Sequence, residues 1–123
     1  MATQSEFSPE LTVLERAILE AALSGVDPAM ADLYAQVEGA EVVLRTPSGV
    51  GFVTKLRIPD ELRTTEANKV AGLPVVYGEH PDLRSGAEFV VQIKDGRINS
   101  IEAFCYEGMW PRDESLFQFG LRL

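Results

Sequence analysis

Two periodicities divide this chain. As far as Gly39 the apolar residues recur at three- and four-residue steps, and beyond it they tend to alternate with polar ones. In "LTVLERAILEAALSG" Leu14, Ile18 and Ala21 share one helical face with Ala22 beside them. Thr12 and Glu15 have the spacing of a capping box, Leu11 can staple back onto the first turn, and Gly25 is placed to end the helix. In "DPAMADLYAQVEG" Asp27 is a cap, Pro28 suits the first helical position, and Met30, Leu33, Tyr34 and Val37 form an apolar stripe that stops at Gly39. The spacing predicts two short helices in an antiparallel hairpin.

The alternating half predicts strands. "AEVVLRT" and "GVGFVTKLRIP" flank Pro47-Ser48-Gly49, a turn sequence, and Val50, Phe52, Thr54, Leu56 and Ile58 fall on one side of the second strand with Lys55 and Arg57 on the other. From Pro59 to Ser85 the pattern is lost, apart from a helical turn in "DELRTTEANKV" and an edge strand in "LPVVY". "GAEFVVQIKDGRINSIEAFCY" then reads as a hairpin turning on Asp95-Gly96, the dipeptide that two-residue type I′ loops favour. A last strand in "SLFQFGLRL", where Phe117, Phe119, Leu121 and Leu123 alternate, completes a meander. The expected fold class is α+β, an N-terminal helical hairpin packed on one face of a five- or six-stranded antiparallel sheet. One domain is expected over residues 1–123, with 1–10 a flexible N-terminus and 59–85 a long connection.

Composition narrows the function classes. Eleven basic residues against nineteen acidic ones leave a net charge of −8, which opposes binding to nucleic acid or to an anionic membrane and favours a basic partner. No apolar run approaches the roughly 20 residues of a membrane helix, and "MATQSEFSPE" lacks the basic start and apolar core of a secretory signal. A single cysteine, Cys105, forms no internal disulfide and supplies no thiolate cluster, so a cytoplasmic location is expected.

Candidate chemistry centres on Glu102. With Asp95 and Gly96 as the loop, Lys94 pairs with Arg97, Ile93 with Ile98, Val91 with Ser100 and Phe89 with Glu102, unless a bulge near Ser100 bends the strand. That register sets Glu102 on an apolar face, where a carboxylate needs donors or stays protonated. Tyr34, Tyr106, Trp110 and Arg45 are the candidate partners. Two readings follow: a structural hydrogen-bond node or a sheet-edge residue that looks at solvent through a bulge, or a pocket in which Glu102 and Glu107, with Tyr106 and Trp110, hold a cationic or hydrogen-bond-donating ligand. Trp110 is equally suited to plug a core. Glu79, His80 and Asp82 in "YGEHPDL" are metal-ligand types, but a closed site needs three or four convergent ligands and His80 is the only histidine, so no metal and no cofactor are expected. A Cys–His pair would need a third group to hold its base, and none is evident.

Gly86, Phe89, Ile93, Asp95-Gly96, Ile98, Glu102, Phe104, Tyr106 and Trp110-Pro111, with "LTVLERAILEAAL" and "PSGVGFVTKL", resemble a group of small bacterial proteins. Their chains end in a glycine-led strand, a D-G turn, an "LE-x-F-x-Y" type strand and a W-P pair. The resemblance implies the architecture and brings no activity with it. The functional expectation is a non-enzymatic binding protein, immunity- or antitoxin-like, neutralising a basic protein partner. The alternative is a small-molecule-binding domain or small enzyme using Glu102, Tyr106, Glu107 and Trp110, with Glu79 and His80 closing over them. A homodimer joined through the "LPVVY" edge is a third option.

Overall fold

Thr12 starts the first helix as its spacing predicts. Its side chain accepts from the Glu15 N–H and the Glu15 side chain accepts from the Thr12 N–H, so two of the free donors at the helix start are satisfied. The computed structural model describes residues 9–24, 28–63 and 73–122. Helix α1 spans Val13–Ala22 and buries Leu14, Ile18, Leu19 and Ala22. Helix α2 spans Pro28–Ala35 and is followed by a 3-10 turn over Val37–Gly39. Of its expected stripe, Met30, Leu33 and Val37 are buried, whereas Tyr34 is largely exposed. The expected caps at Gly25 and Asp27 lie outside the described residues. No helix among the described residues is long and apolar enough to cross a membrane.

Six strands follow: β1 Glu41–Pro47, β2 Gly51–Arg57, β3 Val75–His80, β4 Leu83–Lys94, β5 Arg97–Cys105 and β6 Gln118–Arg122. They form one antiparallel sheet in the order β1-β2-β5-β4-β3-β6, so the α+β class with its N-terminal helices is as the sequence predicts. The path through the sheet differs from a simple meander, because β6 returns to pair with β3 and β2 pairs with β5. Two expectations change with it. The stretch 59–85 contains β3 and the start of β4, and β3, expected at an edge through "LPVVY", lies inside the sheet with β4 and β6 on its two sides.

The sheet has a covered face and an open face. On the covered face Val42, Thr54, Leu56, Val76, Ala87, Phe89, Val91, Ile98, Ile101, Ala103 and Cys105 are buried with the helix residues. An aromatic cluster fills one end of this layer, where the Phe89 ring meets Trp110, Phe117 and Phe119 edge-on at centroid distances of 5.8, 5.4 and 5.5 Å. Two buried polar side chains tie the layers together. Gln36, with no exposed surface, donates to the carbonyls of Leu62 (2.8 Å) and Gly96 (2.9 Å) and accepts from the Ile98 N–H (2.9 Å), fixing the β4–β5 turn to the end of α2. Glu15, only 2% exposed, accepts from Arg45 Nε (2.9 Å), Arg45 Nη2 (2.8 Å) and the Thr54 hydroxyl (2.7 Å), fixing α1 to β1 and β2.

Candidate binding face of the sheet

The position of Glu102 is decided at Asn99. The Asp95-Gly96 turn forms as predicted, with both residues at positive φ, and the pairs Lys94 with Arg97 and Ile93 with Ile98 hold. Asn99 is then an extra residue in β5, and the ladder resumes with Gln92 opposite Ser100, Val91 opposite Ile101, Val90 opposite Glu102 and Phe89 opposite Ala103. A one-residue shift exchanges the faces of everything that follows. The expected Phe89–Glu102 pair is therefore replaced. Ile101, Ala103 and Cys105 turn inward, and Glu102 turns to solvent.

On the open face Glu102 stands between Val53 of β2 and Val90 of β4, both half-buried. Among the described residues none forms a hydrogen bond or ion pair with its carboxylate. Phe104, two positions along β5, lies opposite Glu88, and the Phe104 ring meets the Tyr106 ring edge-on at 5.4 Å. The Tyr106 hydroxyl donates to Glu88 Oε1 (3.0 Å), although 63% of the residue is exposed. Glu88, Val53, Val90 and Phe104 belong to this surface and were not among the candidate site residues read from the sequence. Ile98 and Ile101, both buried and three apart with two polar residues between them, are the signal that would have found the phase change.

The other predicted residues do not gather around Glu102. Trp110 packs against the covered-face rings of Phe52 and Phe89, and its indole N–H donates to Glu114 (2.8 Å), which makes it a core plug. Glu107 is exposed in the turn after β5. Glu79 and His80 are neighbours in β3 whose side chains point to opposite faces, Glu79 to solvent and His80 inward. His80 Nδ1 accepts from the Asp82 N–H (3.0 Å) and Nε2 donates to the Asp113 carbonyl (2.8 Å), so both ring nitrogens are in use. Among the described residues Glu102 lies on the open face, and Trp110, Glu107, Glu79 and His80 are not gathered around it.

Electrostatics separates the two faces further. Burial pushes the Glu15 carboxyl up, but the hydrogen bonds from Arg45, the Thr12 N–H and the Thr54 hydroxyl, with the Arg45 charge, outweigh it and hold the group below its ordinary value. Burial pushes the Cys105 thiol up, as suits a packed side chain more than a nucleophile. Among the described residues no group of three or more His, Cys, Asp or Glu side chains is arranged to hold a metal ion. What the open face offers is a contact surface of aromatic and aliphatic side chains with carboxylates set among them. Comparison with protein-family models, with curated protein sequences and with solved structures finds no match to this chain.

Proposed function

We propose that the chain is a non-enzymatic binding protein, immunity- or antitoxin-like, that neutralises a basic protein partner on the open face of its sheet. One observation carries this reading: Glu102 is exposed, has no partner among the described residues, and stands between two valines with Phe104 and Tyr106 nearby. A lysine or arginine of a partner that reaches Glu102 can lay its alkyl stem along Val53 and Val90 and set its charge near the aromatic edge of the patch. The net charge of −8 favours encounter with a cationic protein, and the aromatic side chains supply the desolvated contacts that hold it.

The test is co-expression with the product of a toxin-bearing reading frame beside the gene, together with titration of the two purified proteins. Protection of the host is expected, with affinity that falls as salt rises. Glu102→Lys is expected to weaken binding by at least about tenfold, since it sets like charges against each other. Absence of protection and of binding, or unchanged affinity in Glu102→Lys, would overturn the proposal.

A further inference from the structure

The two edges of the sheet are unlike. The β1 edge is occupied and broken: the Val42 N–H donates to the Pro9 carbonyl (2.7 Å), the ladder with β2 slips at Val43, Pro47 ends the strand, and Glu41 adds a carboxylate. The β6 edge has none of these features. Its ladder with β3 runs through five unbroken pairs from Glu79–Gln118 to Val75–Arg122, and among the described residues no backbone hydrogen bond reaches its other side. An edge whose N–H and C=O groups meet no backbone partner among the described residues is a template for another strand. Gly120, at its centre, is exposed, and a Cβ added there would meet nothing within 4 Å.

We infer that the β6 edge pairs with the β6 edge of a second copy of this chain. The edge itself is free of the repulsion that separates the rest of two such copies. Two copies that each carry −8 repel, but the segment "LFQFGLRL", residues 116–123, contains one arginine and no acid. An antiparallel two-fold pairing centred on Gly120 sets position 118 of one chain opposite position 122 of the other, so no two like charges face each other along the seam. Apolar surface beside the edge fits the same arrangement. A groove of about 400 Å³ between α1 and the residues around β6 is lined mainly by Val13, Ala17, Phe117 and Phe119, with one acid, Glu114, whose carboxylate accepts from the Trp110 indole N–H, and Val13 is 88% exposed in the single chain. Joined this way, the two sheets continue as one, and the two open faces lie on the same side of it. The inference does not rest on the function proposed for that face.

Sedimentation of the full chain from low micromolar to near-millimolar concentration tests it. A reversible monomer–dimer equilibrium is expected, strengthened by added salt as repulsion between acidic copies is screened. Gly120→Lys places two cations together at the seam and is expected to raise the dimer dissociation constant by at least about tenfold, with the far-UV spectrum and melting unchanged. Gln118→Lys, at another exposed edge position, is the second variant should the first fail to fold, and Val43→Lys on the β1 edge is expected to leave the dimer intact. A chain that stays monomeric throughout, one that grows beyond the dimer, or a dimer weakened by Val43→Lys and by neither β6 variant would overturn the inference.

Discussion

Two glutamates on the two sides of the same strand pair show how differently one residue type can be used. Thr54, which donates to Glu15 on the covered face, pairs with Ile101, and its neighbour Val53 pairs with Glu102 on the open face. Glu15 is buried and accepts from Arg45, the Thr54 hydroxyl and the Thr12 N–H, whereas Glu102 is exposed between two valines. The first holds the helix to the sheet and is closed to any ligand. The second adds nothing to the packing and is open to one. Buried carboxylates need such a set of donors, so the mere presence of an acid in an apolar sequence does not mark a site.

The strongest way to break the contrast is to delete Asn99 and Ser100 together. Ile101 then follows Ile98 directly, so Ile101, Ala103 and Cys105 turn outward and Glu102 turns inward, and loss of the cooperative unfolding transition in urea is the expected outcome. Glu15→Ala comes next. It removes the carboxylate that Arg45 and the Thr54 hydroxyl share and should cost about 3–5 kcal/mol in the same assay. Gln36→Ala leaves the Ile98 N–H and the carbonyls of Leu62 and Gly96 without their partner, for a loss of about 2–3 kcal/mol.

Acid sharpens the comparison without any mutation. Because the Glu15 carboxyl is held below its ordinary value of 4.5, its contribution is complete above that value and is lost as pH falls through the lower value it has in the folded chain. Thermal melts of the wild type should therefore decline below about pH 4.5, and Glu15→Gln should flatten the decline. The smallest effect belongs to the open face. Glu102→Gln should change stability by less than about 0.5 kcal/mol, so any effect on partner binding can be read without a folding correction.

Much of the architecture was legible because it is written in local signals. The Thr12–Glu15 capping box, the Asp95-Gly96 turn and the alternation through Phe52, Thr54 and Leu56 each depend on residues a few positions apart. What was hidden depends on distant partners or on a phase slip. Arg45 and Thr54 stand 30 and 39 residues from Glu15, so a capping residue gives no sign that it is also the centre of a buried ion pair. The return of β6 to β3 is likewise a long-range choice, and it moved the edge of the sheet, among the described residues, from "LPVVY" to the final strand. The error at Glu102 came from a single residue. Strict alternation carried past Asn99 inverted the faces of β5, although Ile98-Asn99-Ser100-Ile101 breaks period two in plain view.

The placement of Glu102 is tested most directly by thiol reactivity in the folded Glu102→Cys variant, with native Cys105 as the internal standard. One fast thiol at position 102 and one slow thiol at Cys105 are predicted, because Glu102 is exposed and Cys105 is buried. Two slow thiols, or a fast Cys105 beside a protected position 102, would contradict the register and with it the binding face.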